Sequence, residues 1–166
     1  MIVSNETIVK EWVRVKRSRP ADFDLESFLP YRLSVTTNRV SRAFAAQYEQ
    51  EFGISIPEWR AIAVLGAFAP LSSNEICERT AMDKAKVSRA VATLLKRGLI
   101  EREAHETDQR LIQLTLSKAG RKVYEAIIPR ARAIEAEVTK GLSKADIARL
   151  HKALDRIGAQ LDEVER

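Results

Sequence analysis

The chain has 166 residues, 45% of them apolar and 31% charged, with a net charge of +5 and a pI near 9.5. That balance supports one domain of ordinary size with a buried core, and it excludes disorder throughout. No apolar run approaches the roughly 20 residues of a membrane span, and the single cysteine, Cys77, excludes an intrachain disulfide or a cysteine-based zinc cluster within one chain.

Met1 to Lys10 is interrupted by Ser4, Asn5, Glu6 and Lys10. It lacks the apolar centre of a secretory signal, so a cytoplasmic location is expected. Asn5 to Arg19 sets Ile8, Trp12 and Val15 at helical spacing and reads as a short helix or docking arm. Pro20 ends it, and Ala21 to Leu29 is a connector. A long helix starts near Pro30, with Leu33, Val40, Phe44, Tyr48 and Phe52 as one apolar stripe and Gly53 as its stop. Pro57 opens the next helix, carrying Trp59, Ile62, Ala63, Leu65 and Phe68, and Pro70 closes it.

Two short helices follow. Ser72 and Glu75 have the spacing of a capping box, and Asp83 is a good N-cap for a helix that reaches Arg97 and stops at Gly98. The period then changes. Leu99 to Glu103 and Arg110 to Leu116 read as two strands joined by the polar loop Ala104 to Gln109. Two long helices complete the chain. Ser117 caps the first, Pro129 should kink it, and Gly141 ends it. Ser143 caps the second, where Ile147, Leu150, Leu154, Ile157, Leu161 and Val164 form an a/d heptad seam that wants a partner helix. The predicted class is therefore mainly α with a small β-hairpin.

Charge is not spread evenly. Met1 to Phe28 and Leu142 to Arg166 are each neutral, whereas the 19 residues from Lys84 to Arg102 sum to +5, the excess of the whole chain. The helix in that window has two faces. Val87, Val91 and Leu94 mark a buried side, and Ala85, Arg89, Ala92 and Lys96 point the opposite way, flanked by Lys86 and Ser88. Small residues let a helix approach a surface, and long cations reach phosphates or guanine edges. That is the chemistry of a recognition helix in a major groove, although a basic surface helix over a globular core has the same composition. A hairpin directly after it completes the plan of a winged helix. There Arg110 at the base of the loop suits a narrow, negative minor groove. Asp108, two residues away on the same side of an extended chain, can hold it or another arginine, although a solvated surface pair has the same spacing.

The stretch MDKAKVSRAVATLLKRGLIER (Met82 to Arg102), then DQR (Asp108 to Arg110), then LTLSKAG (Leu114 to Gly120) resembles the MarR family of winged helix-turn-helix transcription regulators. The resemblance runs from about Phe28 to Ile157. It implies a homodimer that binds double-stranded DNA at a pseudo-palindrome, most often as a repressor. It divides the chain into an arm (1–28), a helical dimerisation region (29–56 and 120–166) and a winged helix-turn-helix domain (57–119). By position, Lys84, Lys86, Ser88, Arg89 and Thr93 match the major-groove helix, and Arg110, with Asp108, matches the wing. Ser72, Ser73 and Asn74 open the preceding helix, where backbone N–H groups hold a phosphate. The wing departs from the family pattern: Gln109 stands where many members have a second basic residue, and Glu106 makes the tip partly acidic.

Regulators of this kind usually answer to a small ligand, often a phenolic or aromatic acid. The candidates are Tyr31, Arg32, Ser34, Asn38, Arg39 and Arg42 on the first long helix, with Trp59 and Arg60 on the next. An arginine beside an aromatic wall suits a carboxylate. The arginines point to an anionic effector, an aromatic acid or its CoA thioester. Cys77 reads as a small buried hydrophobe rather than a redox sensor.

No catalytic arrangement emerges. The six glycines form neither a dinucleotide fingerprint nor a P-loop, and the histidines, His105 and His151, lack metal-ligand spacing. No enzyme activity, metal or cofactor is expected. The competing reading is a helical dimeric scaffold, which accounts for the heptads but not for the charge window.

Overall fold

The computed structural model describes residues 23–104 and 112–164. The expected arm at residues 5–19 and the wing loop, with Asp108 and Arg110, lie outside the described residues. The order of elements is α1 (Leu29–Phe52), α2 (Ile56–Phe68), α3 (Ser73–Thr80), α4 (Lys84–Lys96), β1 (Ile100–Ala104), β2 (Ile112–Leu116), α5 (Lys118–Val138) and α6 (Lys144–Val164). The chain forms two compact units that divide within α1, one ending at Thr37 and one beginning at Asn38. In the first, the Phe23 and Phe28 rings meet at 5.1 Å and the Ser27 hydroxyl donates to the Asp24 carbonyl.

The helix boundaries follow the capping chemistry. The Ser72 hydroxyl accepts from the Glu75 N–H, and the Glu75 carboxylate accepts from the Ser72 N–H at 2.7 Å. Asp83 accepts from the Lys86 N–H at 2.8 Å. Ser143 and Asp146 exchange the same reciprocal bonds at the start of α6. At the end of α4, Gly98 has φ +66°, its N–H reaches the Leu95 carbonyl, and the Leu99 N–H reaches that of Leu94. This is a Schellman stop, which needs the left-handed conformation glycine adopts without strain. Helix α5 continues through Pro129 to Val138, and Thr139 caps it ahead of Gly141.

The core lies in the second unit, where α2 packs on α3, α4, α5 and β2. Ala61, Ile62 and Leu65 from α2, Ile76 from α3, and Val87, Val91 and Leu94 from α4 are buried together with Ile100, Leu114 and Ile127. Strands β1 and β2 pair antiparallel, Ile100 opposite Leu116 and Ala104 opposite Ile112. Leu71 adds a one-residue bridge to Leu114 on the other side of β2, with both backbone bonds made. The periodicity of the sequence contained no sign of that bridge.

Three expectations for apolar positions are corrected. Phe68 is 54% exposed at the end of α2, with the Arg79 guanidinium 4.3 Å from its ring centre. Ile112, Leu114 and Leu116 alternate along the sequence as one apolar face of β2, yet Leu114 is buried and Ile112 is exposed, because only one end of the hairpin lies over the core. Cys77 is also only half-buried.

Hairpin and α5 meet at Ser117. Its hydroxyl donates to the Gly98 carbonyl at 2.7 Å and accepts from the Gly120 N–H at 3.0 Å. A Cβ on Gly120 would stand 1.8 Å from the Leu99 carbonyl oxygen, a backbone atom that cannot step aside. Gly120→Ala is expected to destabilise the fold by about 1–3 kcal/mol or more through overpacking, read from urea unfolding.

Asp83 carries a pH prediction. The Lys86 side chain and backbone N–H hold its carboxyl below the ordinary carboxylate range. A depressed folded-state pKa means that its contribution is complete above the unfolded value and is lost as pH falls through the folded one. The α4 cap is therefore expected to persist at neutral pH and to fail only in acid. An NMR titration should place the Asp83 midpoint below the ordinary value of about 3.9.

Candidate nucleic-acid interface and effector cavity

Helix α4 has one dry face and one wet face. Val87, Ala90, Val91 and Leu94 are buried against the core. Lys84, Ala85, Lys86, Ser88, Arg89, Ala92, Thr93 and Lys96 are exposed. The cations on the exposed face are held differently. Lys86 pairs with Asp83 at 2.9 Å, which ties it to the helix start. Arg89 has no ion pair among the described residues, although it adds to the field that depresses the Asp83 carboxyl. The Thr93 hydroxyl donates back to the Arg89 carbonyl at 3.0 Å.

Ser72 is half-buried at the cap of α3, and Ser73 and Asn74 are exposed on its first turn. These residues stand beside α4. Ser73, Asn74 and Cys77 share a cavity of about 330 Å³ with Lys84, Val87, Ser88, Val91, Ala92 and Arg102. Arg102 was not among the sequence-derived site residues. It comes from β1, and only the fold brings it to α3 and α4. The available signal was its place in the charge window. The surface thus presents hydroxyls, an amide and cations from three elements.

A second cavity, of about 210 Å³, lies between α1 and α2. It is lined by Val40, Ser41, Phe44, Tyr48, Ile56, Trp59 and Arg60, of which only Arg60 is charged. The Arg60 guanidinium donates to the Ser41 hydroxyl at 3.3 Å and has no carboxylate partner among the described residues. Burial pushes the Tyr48 phenol up to about 12, against the opposing pull of Arg60, so the phenol stays neutral at ordinary pH. Trp59 meets the tilted ring of Tyr48 at 5.7 Å and stacks with Tyr124 at 6.3 Å.

Of the residues singled out for an effector, Trp59 and Arg60 line this cavity. Asn38, Arg39 and Arg42 are exposed and are not among its lining residues. Tyr31, Arg32 and Ser34 belong to the other unit and are exposed on α1. Val40, Phe44 and Tyr48 read as a core stripe in the sequence, and Ser41 carried no signal.

The last helix leaves its seam open. None of the α6 residues is buried, and Leu150, Leu154, Leu161 and Val164 are 43–76% exposed. Among the described residues no helix is long and apolar enough to cross a membrane, and no cluster of potential metal ligands forms.

The arrangement has clear counterparts. The profile of the MarR family matches residues 52–111, from the end of α1 into the wing. The regulator BilQ of Clostridium symbiosum is 28% identical over 109 residues, covering 66% of this chain and 76% of that protein. A probable transcriptional regulator from Pseudomonas aeruginosa is 30% identical, with a TM-score of 0.64 over 81% of this chain and 99% of that one. A MarR/EmrR family regulator from Acinetobacter sp. ADP1 superposes with a TM-score of 0.79 at 26% identity, covering 85% of this chain and 99% of that one. With its helix-turn-helix, hairpin and two-faced α4, the chain belongs to the MarR family of transcriptional regulators, DNA-binding proteins and not enzymes.

Proposed function

We propose that this regulator is a ligand-responsive repressor that reads a pseudo-palindromic operator as a homodimer. The observation that carries the reading is the sorting of α4 into a buried apolar face and an exposed face of alanines, hydroxyls and cations. In this assignment Lys84, Lys86, Ser88, Arg89 and Thr93 enter the major groove. Ser72, Ser73 and Asn74 bring the start of α3 to a phosphate, where unsatisfied N–H groups and the helix dipole favour negative charge. Arg102 joins them on the backbone. Arg110, with Asp108, is assigned to the minor groove.

The exposed leucines of α6 support the dimer. A three-heptad apolar seam on a solvent-facing helix is stabilised by a partner helix, and two copies then place two heads on half-sites one helical turn apart. The division of labour is an arm (1–28), a dimerisation region (29–56 and 120–166) and a DNA-binding head (57–119). The protein works in the cytoplasm, where its DNA target is.

The effector is an aromatic carboxylate seated in the cavity of α1 and α2. Phe44, Tyr48 and Trp59 supply the walls, and Arg60 is the single charge aimed at an anion. A cavity of about 210 Å³ matches the size of a single-ring acid, free or as the acyl end of its CoA thioester. Ligand and DNA then prefer different spacings of the two heads, with a reciprocal coupling of about 1–3 kcal/mol.

Fluorescence anisotropy with the duplex upstream of the protein's own gene tests the reading, against a scrambled duplex and across a salt series. The expected outcome is tight binding to the real sequence that weakens steeply with salt; equal, weak binding to both favours a scaffold. Arg89→Ala is expected to remove roughly 1–3 kcal/mol of discrimination, and unchanged site preference would contradict its role. Arg60→Met is expected to abolish the calorimetric signal of benzoate while leaving the DNA affinity of the unliganded protein in place; benzoate bound equally well by this variant would remove Arg60 from the site.

A further inference from the structure

The α4 helix is tied at its last residue to the elements that form the effector cavity. Arg97 caps α4, and its guanidinium crosses to the end of α1. One nitrogen donates to the Gly53 carbonyl at 2.8 Å and the other to the Phe52 carbonyl at 2.6 Å. The same guanidinium lies 3.8 Å from the Glu58 carboxylate in the first turn of α2. The oxygen facing Arg97 also accepts the Ser55 N–H at 2.9 Å, so Glu58 caps α2 and pairs with α4 at once. Glu58 is largely buried, with 12% of its side chain exposed.

This geometry suits a guanidinium and no other side chain. The carbonyls at a helix C-terminus lack partners and carry the negative end of its dipole. A planar fork satisfies two of them together, whereas the point charge of a lysine does not. Gly53 turns left-handed at φ +59°, which ends α1 where Arg97 arrives. Arg130 of α5 also pairs with Glu51 and lies 5.5 Å from the Phe52 ring. The last turn of α1 is therefore held by two arginines.

The clasp and the cavity share their residues' immediate neighbours. Glu58 precedes Trp59 and Arg60, and Ile56 follows the capped Ser55. On the other strut, Tyr48 lines the cavity one turn before Phe52. An occupant that shifts Trp59 or Tyr48 shifts the turn on which Arg97 closes.

We propose that Arg97 is a positioning residue, the link through which occupancy of the α1–α2 cavity moves the recognition helix. Its consequence for DNA rests on the regulator reading above; the mechanical link does not. The clasp sets the C-terminal end of α4, and Lys84 to Arg89 at the other end follow as a lever. A side chain with a merely stabilising role would lower the melting temperature without changing what reaches α4 from the cavity.

The test uses the full-length chain with an occupant built in. Ser41→Phe places a phenyl ring in the cavity mouth, and Ser41→Leu, a smaller filler, replaces it where the larger ring prevents folding. Each is made with Arg97 intact and with Arg97→Gln. Two quantities are read: affinity for the upstream duplex, and amide hydrogen exchange over residues 94–99 at the end of α4. With Arg97 present, the filler is expected to weaken duplex binding by roughly 5-fold or more and to speed exchange at the end of α4. With Arg97→Gln, the filler should change affinity by less than about 2-fold and leave exchange at the value of Arg97→Gln alone. An equal effect of the filler in both backgrounds overturns the proposal, and so does a filler that leaves α4 exchange unchanged with Arg97 in place. Should the parent protein not prefer its upstream duplex, the operator reading falls, and the exchange comparison still decides the link.

Discussion

The packing of α4 on α2 is the contact on which the rest of the molecule depends. Burying Val87, Ala90, Val91 and Leu94 leaves only one way to orient the helix. At 100° per residue the remaining positions must then face solvent, and these carry Lys84, Arg89, Ala92 and Lys96. The hydrophobic term thus does more than stabilise the head. It aims the cations. A substitution that loosened this face would disturb the exposed cations without touching any of them.

Around that contact the elements are fastened by groups that satisfy backbone carbonyls. Ser117 bridges the Gly98 carbonyl and the start of α5, and Arg121 donates to the Gly66 carbonyl at 3.2 Å. Arg97 takes the last carbonyls of α1. In each case a donor reaches across from a different element to a carbonyl that its own helix or turn leaves unpaired. These bonds give backbone acceptors a partner from another element, which ties the elements of the head together. Close backbone approach adds a further contact at Gly120, where the Leu99 carbonyl occupies the space of a side chain.

The surfaces divide by chemistry. The α4 face and the α3 start are polar and basic, suited to a wet, charged partner. The α6 seam is apolar and exposed, suited to a dry one. Between these extremes the cavity of α1 and α2 is apolar with a single cation, which is the composition of a small-molecule site.

Much of the local structure was legible from the order of residues alone. Ser72 with Glu75, Asp83, Ser117 and Ser143 marked helix starts because a cap is a bond within four residues. The two faces of α4 followed from the helical period, and the hairpin from its change. Tertiary structure decided what no period encodes. Phe68 sits on the apolar stripe of α2 yet lies at the surface, because α2 outlasts the core it packs on. The Leu71 bridge joins residues 43 positions apart, and Arg97 meets carbonyls 44 and 45 residues upstream. Arg102 reaches α3 and α4 only because β1 runs beside them. Tyr48 belongs to the buried core and Phe44 packs against it, as the stripe predicts, yet with Val40 they also line a cavity against Trp59 and Arg60 that no period along the chain encodes. A sequence carries periodicity and capping because those are set by neighbours along the chain; which distant groups meet, and what space they leave, is settled only when the helices pack.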